Sequence, residues 1–593
     1  MQAVIGPRVE WHLPAPLLDP PTFAGFGRPV ATLLGRRGFR DDAQLTAFLE
    51  AGEASLHDVS LMADADVALE RLGRALDRGE RIAIWGDYDA DGMTAVVVWS
   101  LALRALGAEP IRHVPDRLAD GYGLSAAGLE RLAAAGVSLV VTCDCGIVNV
   151  AEVAHARTLG LDVIITDHHL PSGELPRAVA VVDPHRSDCS YPDPDLTGAG
   201  LTYKLATALL ARRGVAAADL AGVAAIGTIA DLAPMTGESR AIVRLGLEEL
   251  RTTSRAGLRA LLARACDEPL RPTARDLGFG VAPRINAAGR IAEAELAISL
   301  LLADDEADAE RHAEELEAVH RARRELTSAA VAEAIPLAEA MPGDGPFALH
   351  QEGWAPGIVG LIAGRLADRL GRPVAVAGSV GDELRGSVRA PADFDAAAAL
   401  EACADVLLKR GGHPGAGGFS VAASGWQAFA DRFAALTRPY PADNPRSAQP
   451  VGGIAVDLVL PAQHLGWGLA DEIARLAPFG PGHVEPVLAV TGLRVGDARR
   501  IGDGRHLSLR MLRGTETIDA IAFRCPADRP LPEEGSRLDL VGTLERDTFQ
   551  DQPRLRIRVE DYATADASPL AARRAASRPV LVPIPIAAQA ALS

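Results

Sequence analysis

Trp85-Gly86-Asp87-Tyr88-Asp89-Ala90-Asp91-Gly92-Met93 follows directly after the apolar run 82–84, and this stretch decides the fold prediction. Side chains alternate along a strand, so Asp87, Asp89 and Asp91 share one side if the chain stays extended. Three unpaired carboxylates at the end of a buried strand would repel one another and lose hydration. A hard divalent cation would compensate them, so we interpret the stretch as part of a metal site. The alternative is a solvated or calcium-like acidic turn.

The region 81–237 alternates short β-branched runs with Ala- and Leu-rich segments, which is typical of a doubly wound parallel α/β sheet. We predict strands at 82–85, 111–114, 139–142, 163–166 and 179–182. Ligands of such sheets bind outside the carboxyl ends of the strands, so side chains that follow different strands are expected to converge there.

Acids and histidines follow several of these strands. Asp144 comes after the third strand, Asp167-His168-His169 after the fourth, and Asp231 after the apolar segment 221–230. Taken singly, an Asp after a strand is most often a helix N-cap. Together these residues offer oxygen and imidazole ligands for two ions bridged by a carboxylate, a set that favours Mn²⁺ or Mg²⁺. Two such ions can hold both the attacking and the leaving oxygen of a phosphate ester, so the sequence predicts a phosphoesterase.

Length and composition set wider limits. At 593 residues, the chain has room for roughly four domains of about 150 residues. A formal net charge of -18 argues against a general nucleic-acid coating protein, although it leaves room for a locally basic channel. The six cysteines lack CxxC spacing, which suits a reducing compartment. The sequence shows neither a signal pattern nor a long apolar run, so we expect a cytoplasmic protein without membrane association.

The remaining segments predict further domains. Residues 1–75 are expected to form a helical cover on the next domain, and the charged segment 303–340 to form a long connecting helix. A second, smaller α/β domain is predicted at 341–440, followed by a Pro-rich linker at 441–450. Six strand candidates at 451–562 suit an OB-like β-barrel, and the tail 563–593 is expected to be disordered.

Two features of the later domains suit nucleic acid. The glycine-rich cluster 410–418 can bring backbone N–H groups close to a phosphate, although such clusters are commonly turns. Six arginines, among them Arg505, crowd the segment 494–513 and can follow the backbone of a single strand. An arginine-rich composition can also produce such a cluster by chance. Phe549 is the best candidate there for stacking on a base.

The motifs 87–92, Asp144, 167–169 and Asp231 resemble the four motifs of the DHH phosphoesterase family. More narrowly, the stretches 113–125, 283–290, 412–418 and 478–482 are similar to those of the bacterial single-strand-specific 5' to 3' exonucleases in that family. The resemblance runs from about residue 30 to about residue 560. It implies a DHH catalytic domain at 76–302, a DHHA1-type nucleic-acid-binding domain at 341–440 and an OB-like domain at 451–562.

The resemblance also implies roles for particular residues. The expected ligands of two Mn²⁺ or Mg²⁺ ions are Asp89, Asp91, Asp144, His168 and Asp231. Asp87, Asp167 and His169 would complete this set or orient it. Arg117, Ser387 and Arg389 would hold a terminal 5'-phosphate. Further DNA contacts are expected from Tyr122, Arg284, Asn286, Arg290, His413, Gly417 and Arg505.

The implied activity is two-metal-ion hydrolysis that releases mononucleotides from the 5' end of single-stranded DNA in recombination and repair. Single-strand-binding protein and a RecQ-type helicase are the implied partners, and we expect a monomer. Three alternatives remain: a phosphoesterase for short oligonucleotides or a cyclic dinucleotide, a non-catalytic strand-binding scaffold, and an aminoacyl-tRNA editing protein. Cys145, Ser239, Ala355 and His483 depart from the family pattern, and none of them is among the proposed metal ligands.

Overall fold

The computed structural model describes residues 4–15, 17, 19–117, 121–171, 173–341, 347–391, 393–437, 453–547 and 553–571. The predicted linker 441–450, Phe549 and the tail from 572 onward lie outside these residues. The chain divides into two compact units. One contains Thr46–Ala448 and Pro478–Val484, and the other contains Met1–Leu45, Gln449–Ala477 and Glu485–Ser593. No helix of the described ranges is both long and apolar enough to cross a membrane.

A five-stranded, fully parallel sheet lies at the centre of the catalytic domain. Its strands, in order across the sheet, are Ile111–His113, Ile82–Trp85, Leu139–Thr142, Asp162–Thr166 and Ala180–Val182. The predicted parallel sheet is confirmed, with strand ends within one residue of the prediction. All four side chains of Ile82–Trp85 are buried, as expected for a sheet with helices on both faces.

The chain reverses its direction across the sheet after Ile82–Trp85. It first adds Ile111–His113 on one side of that strand and then Leu139–Thr142 on the other. The carboxyl ends of the two strands at such a switch point diverge and leave a crevice, which is where ligands bind in open α/β sheets. The Asp-rich stretch and Asp144 both follow strands that border this crevice.

Helices surround the sheet. The helix Ala90–Ala105 is buried over most of its length, because it packs against the sheet and against other helices, and its sequence is correspondingly apolar on all sides. The other helices of this domain are Ala65–Arg78, Ala126–Ala134, Val150–Thr158, Gly198–Arg212, Leu220–Ala230, Gly237–Thr252, Ala256–Ala265, Ala274–Asp276, Ala282–Ile291 and Glu295–Leu302, with a π-helix at Leu277–Val281.

A helix of 34 residues, Glu306–Glu339, follows the catalytic domain and is called the linking helix below. The Asp305 carboxylate accepts hydrogen bonds from two backbone N–H groups at its start and caps it. At 1.5 Å per residue it extends about 51 Å. Leu316 packs into the core of the catalytic domain, whereas Ala334 packs into the core of the second domain. The predicted connecting helix is therefore confirmed.

The second α/β domain has a five-stranded sheet. The order of its strands is Lys409–His413, Ala416–Ala422, Glu383–Arg389, Val374–Val380 and Ala348–His350. Only the last pair is parallel. The glycine-rich cluster 410–418 forms the hairpin between the first two strands. The helices of this domain are Val359–Leu370, Ala396–Glu401 and Trp426–Thr437.

The helix Ala282–Ile291 contacts both domains at glycines. A Cβ atom on Gly289 would overlap the carbonyl oxygen of Tyr88 in the segment 86–90 after the first predicted strand, which is called the catalytic loop below. A Cβ atom on Gly357, at the start of the second domain, would overlap the carbonyl oxygen of Arg290. Backbone therefore meets backbone at both contacts, and no side chain fits between the elements.

The other unit contains a closed five-stranded barrel, which confirms the predicted OB-like domain. Its strands are Leu488–Ile501, His506–Arg513, Glu516–Ala522, Arg554–Thr564 and Arg537–Asp547, and the first pairs with the last. Leu458–Pro461 adds in parallel to Leu488–Ile501. The last strand runs to Thr564, and Leu570 is buried, so the ordered domain continues into the predicted tail.

The N-terminal segment is divided between the two units. Trp11–His12 pairs with Ile454–Ala455, and the indole N–H of Trp11 donates to Asp561 of the barrel. Residues Met1–Leu45 group with the barrel, whereas the chain from Thr46 onward groups with the catalytic domain. The predicted cover at 1–75 is thus not one element on the catalytic domain, because the aromatic and apolar residues at its start are buried in the barrel core.

Gly246 tests the packing of the helix Gly237–Thr252 against Leu220–Ala230. A Cβ atom at this position would overlap the carbonyl oxygen of Ala221 and the Cβ atom of Ala225. Gly246→Ala is therefore expected to lower the free energy of unfolding by about 1–3 kcal/mol, the usual cost of overpacking a core. Chemical denaturation monitored by circular dichroism measures the change.

Gly364→Ala is the matched control in the helix Val359–Leu370, because the nearest atom to an added Cβ there is Cγ of Arg389 at 4.0 Å. This variant is expected to keep or slightly raise the stability, since alanine is the better helix former. Equal stability of the two variants would contradict the packing described for Gly246.

Candidate metal centre and phosphate-binding cleft

The Asp-rich stretch is held by backbone N–H groups. The Asp89 carboxylate caps the helix Ala90–Ala105 through bonds of 3.0 Å from the N–H groups of Asp91 and Gly92. The buried Asp91 carboxylate accepts bonds of 2.7 and 2.9 Å from the N–H groups of Gly198 and Ala199. Those two groups begin the helix Gly198–Arg212, whose positive end favours a carboxylate.

Asp144 sits in a rare backbone conformation. Its φ is +61°, a region that non-glycine residues seldom adopt and that is found most often at functional sites. The Asp144 N–H donates to the carbonyl oxygen of Thr166 at 3.1 Å, which fixes the residue to the neighbouring strand. Its carboxylate lies 2.9 Å from Nε2 of His168.

Asp167 organises the two histidines. One of its oxygens accepts bonds from the N–H groups of His168 and His169 and lies 2.7 Å from Nδ1 of His169. The other accepts a bond of 2.9 Å from the N–H of Ile147. Burial acts to raise the pKa of Asp167, but the hydrogen bond and positive charge of His169 outweigh it and hold the pKa below its usual value. With both oxygens engaged, Asp167 orients the cluster.

The pKa values of the two imidazoles are shifted in opposite directions. Burial, followed by the positive charge of His169, lowers the pKa of His168 to about 3. Burial also acts against protonation of His169, but the bond to Asp167 prevails and raises its pKa to about 9. His168 is therefore neutral, which is the form of histidine that binds a metal.

The structure brings together the acids and histidines that the sequence singled out. Three groups have ligand atoms within 4.8 Å of one another. They are Asp87 with Asp89 and Asp144, Asp91 with His168 and Asp231, and Asp144 with His168 and His169. Asp144 and His168 each belong to two groups, so the arrangement suits two neighbouring ions with a shared ligand. We call these seven residues the acid–histidine cluster.

The electrostatics of the cluster fit divalent cations. Burial, followed by the negative charge of neighbouring carboxylates, raises the pKa values of Asp87, Asp91 and Asp144 well above the usual range. The same causes raise the pKa of Asp231 to about 6. Oδ1 of Asp87 is buried without a hydrogen-bond partner among the described residues. Carboxylates and imidazole without a thiolate are the ligands preferred by Mn²⁺ and Mg²⁺.

A group of arginines lies beside the cluster. The Arg389 guanidinium donates to Oγ of Ser387 at 2.5 Å, and that hydroxyl donates to the carbonyl oxygen of Gly417 at 3.1 Å. Arg117 lies over the ring of Tyr88, 4.5 Å from its centroid. Burial and the positive charge of Arg117 lower the pKa of Arg389.

Arg290 and Arg323 extend this group. Burial and the positive charges of Arg117 and Arg323 lower the pKa of Arg290 to about 10. Arg323 is half-buried on the linking helix, and its Nε has no partner among the described residues. Arg117, Arg290, Arg323 and Arg389 together form a group of positive charges that suits an anion. Our sequence analysis missed Arg323, although the run Arg321-Ala-Arg-Arg324 in a predicted helix was an available signal.

Other predicted DNA-binding residues have varied surroundings. The His413 ring stacks on that of His169, with centroids 6.0 Å apart. The Tyr122 hydroxyl lies 3.2 Å from Nδ1 of His169. Oδ1 of Asn286 accepts a bond of 2.9 Å from the N–H of Ala90, so this side chain holds the catalytic loop.

Two further predicted DNA contacts have acidic partners in the structure. Arg284 donates to Glu317 of the linking helix at 2.7 Å and to the carbonyl oxygen of Gly280 at 2.8 Å. These bonds give it a role in packing the linking helix. Arg505 belongs to the barrel unit, where it is exposed and forms an ion pair of 3.7 Å with Asp503.

The four departures from the family pattern lie outside the acid–histidine cluster. Cys145 is buried, and Oγ of Ser239 donates to the carbonyl oxygen of Asp195 at 3.0 Å. Ala355 is half-buried beside Trp354. The His483 ring packs against two phenylalanine rings. All four serve local packing.

The parallel sheet and the cluster at its switch point define a DHH-type phosphoesterase. The model of the DHH family, N-terminal domain, matches residues 81–228, the DHHA1 domain matches 339–438 and the RecJ OB domain matches 456–561. RecJ of Bacillus subtilis is 34% identical over 91% of this chain and 68% of its own length. RecJ of Escherichia coli is 33% identical over 84% of this chain and 90% of its own length. The chain belongs to the RecJ family of single-stranded-DNA-specific exonucleases.

Solved structures agree with this assignment. RecJ of Thermus thermophilus in complex with Mn²⁺ matches with a TM-score of 0.77 and 31% identity, over 94% of this chain and 79% of that one. A structure of the same protein with Mg²⁺ matches with a TM-score of 0.73 and 29% identity, over 95% of this chain and 79% of that one. The predicted enzyme class, a metal-dependent hydrolase that uses Mn²⁺ or Mg²⁺, is confirmed.

Cation binding is expected to stabilise this chain through the cluster. Addition of Mn²⁺ to the metal-free protein should raise Tm, and a hundredfold excess over Kd adds about 2.7 kcal/mol of stability. Asp144→Asn should abolish most of this gain. Without metal it should unfold no earlier than the parent, because it removes one of several repelling buried carboxylates. Differential scanning fluorimetry with and without EDTA measures both effects.

Glu130→Gln is the control, because Glu130 is an exposed acid paired with His155 elsewhere in the domain. It should keep the full Mn²⁺ response. A full response in Asp144→Asn would remove this residue from the metal site.

Proposed function

We propose that this chain hydrolyses single-stranded DNA from its 5' end and releases mononucleotides. One observation carries the proposal: a group of mutually repelling arginines that suits a terminal phosphate lies beside a cluster that suits two divalent cations. Membership of the RecJ family supports the same conclusion, since its curated relatives are single-stranded-DNA-specific exonucleases.

We assign Asp89, Asp91, Asp144, His168 and Asp231 as ligands of the two cations. Bound there, two divalent cations supply positive charge to both the attacking water and the leaving oxygen of an in-line displacement. Asp87 lies at the edge of the same cluster, and Asp167 keeps His169 oriented and charged. Because Asp167 holds Nδ1 of His169, we assign Nε2 of this ring to a phosphate oxygen of the substrate.

We assign Arg117, Ser387 and Arg389 to the terminal 5'-phosphate. A planar guanidinium binds a phosphate through two parallel hydrogen bonds and stays charged at neutral pH. The phosphate would relieve the repulsion between Arg117 and Arg389, which raises the affinity for an anion. Because these residues fix the end of the strand, the cut falls one nucleotide from it and the product is a mononucleotide.

Specificity for single strands follows from the size of the cleft. The second domain places His413 against His169 of the catalytic domain, with ring centroids 6.0 Å apart. We infer that the approach of the second domain at these two rings narrows the cleft, so that it admits one strand and excludes a duplex. Exclusion is therefore steric and needs no side chain that recognises bases.

Of the other functions considered, the scaffold is disfavoured because a non-catalytic relative would have no need for an intact cluster. A phosphoesterase for short oligonucleotides would need neither the barrel nor the extended strand-binding surface. We further propose that the chain acts as a monomer in the cytoplasm. A RecQ-type helicase would expose its substrate, and single-strand-binding protein would keep the strand open.

The first test is a time course on DNA that carries a 5'-phosphate and a 3' label. With Mn²⁺ or Mg²⁺, the labelled single strand is expected to shorten progressively from its 5' end, while the same strand in a blunt duplex stays intact. EDTA should stop the reaction, because the cluster then lacks its cations. An intact long strand beside rapid cleavage of dinucleotides would instead favour the short-oligonucleotide enzyme.

Arg389→Ala tests the terminal pocket. Loss of a hydrogen bond to a charged group costs about 1.5–3 kcal/mol, so kcat/KM on a 5'-phosphorylated strand should fall roughly 10- to 150-fold. The loss should be much smaller on the same strand with a 5'-hydroxyl. Arg432→Ala is the control, because Arg432 is paired with Asp405 on the surface of the same domain. An equal loss on both strands would remove Arg389 from the phosphate pocket.

A further inference from the structure

Phe279 exposes 81% of its surface although it lies in a firmly packed element. It belongs to the π-helix Leu277–Val281, whose two end residues are fully buried. The capping box of Thr273 and Asp276 secures the turn just before it. π-Helical turns occur frequently at functional sites. A large apolar ring that is exposed to this extent contributes little to the core and is accessible to a ligand.

The ring lies in a segment that leads directly to residues of the cleft. The π-helix Leu277–Val281 continues without a break into the helix Ala282–Ile291, which carries Asn286 and Arg290. Arg290 belongs to the arginine group that suits the terminal phosphate. Asn286 bonds the catalytic loop at Ala90. Phe279 lies on the opposite side of Asn286 from Arg290, about 16 Å from Arg290 along the helix.

The surroundings of the ring suit a nucleotide. The Arg275 guanidinium lies 5.8 Å from the Phe279 centroid and adds a positive charge beside an apolar face. The π-helix packs on the end of the helix that delivers Asp231, since a Cβ atom on Gly278 would lie 3.2 Å from Ile229. Leu232, directly after Asp231, is also 71% exposed.

We propose that Phe279, with Arg275, is a stacking platform for a base of the single strand on the 3' side of the cut. This inference rests on the proposed function. The 5' end lies at Arg290 and the reacting phosphate at the catalytic loop, so the remaining strand continues along the same helix towards Phe279. A ring stacks on any base, which suits an enzyme that must pass every sequence.

Phe279→Ala is expected to raise KM for a 30-nucleotide strand roughly 5- to 150-fold, the range for loss of one stacked base. It should leave kcat within about twofold and leave cleavage of a 5'-phosphorylated dinucleotide unchanged, because a dinucleotide ends before the platform. Phe279→Trp should restore the parental KM. Leu61→Ala is the control, since Leu61 is a half-exposed apolar residue of the same unit to which no role is assigned.

Binding measurements locate the contact. In the Asp144→Asn background, strands with a single abasic nucleotide at successive positions should bind normally except at one position on the 3' side, where affinity falls. This position-specific loss should disappear when Phe279→Ala is added, because the base and the ring form one interaction. Fluorescence anisotropy with a 3' label measures each affinity.

The outcomes separate the two proposals. If the parent chain fails to shorten single-stranded DNA, the proposed function is wrong, and the stacking platform, which rests on it, is wrong as well. If the parent is active and Phe279→Ala matches it at every substrate length and every abasic position, the platform alone is overturned. A loss of kcat on the dinucleotide would also overturn the platform, since it would place the effect on the catalytic loop.

Discussion

The rest of the structure depends on the repulsion among buried carboxylates at the carboxyl ends of the catalytic sheet. Asp87, Asp91 and Asp144 are buried, and burial followed by the negative charge of neighbouring carboxylates raises the pKa of each. The fold contains this repulsion by placing a helix N-terminus against Asp91 and by bonding Asp144 to the next strand. Bound cations offset the unfavourable free energy of this repulsion, so stability and catalysis are linked at one site.

The cleft contains two groups of like charges, one negative and one positive, side by side. Carboxylates that need cations lie beside guanidinium groups that need an anion, and only a phosphodiester strand with its metal ions satisfies both. The helix Ala282–Ile291 connects the two regions, because Asn286 holds the catalytic loop and Arg290 joins the arginine group. The negative charge of the whole chain is therefore no obstacle to DNA binding, since guanidinium groups are concentrated beside the acid–histidine cluster.

The sequence predicted the parallel sheet and the acid–histidine cluster well. Short β-branched runs mark the strands, and the carboxyl ends of parallel strands lie at the same edge of the sheet, so residues that follow them converge. It did not predict that Gly198 and Ala199 would donate to Asp91, although the run Thr197-Gly-Ala-Gly200 before a helix was a usable signal. It assigned Arg284 to DNA, whereas the structure pairs it with Glu317, because the choice between partners depends on how two helices cross. The sequence analysis placed the first 45 residues on the catalytic domain, whereas they group with the barrel. Their partner strand lies more than 400 residues away, and local sequence patterns do not reveal such a pairing. The roles of the predicted site residues stay predictions.

The glycine contacts of the helix Ala282–Ile291 couple the second domain to the catalytic loop. Backbone meets backbone at Tyr88 on one side and at Gly357 on the other, so neither contact contains a flexible side chain that could absorb movement. A movement of the second domain would therefore displace the helix Ala282–Ile291 and, through it, the catalytic loop. The position of the second domain is thereby transmitted to the catalytic loop through main-chain atoms.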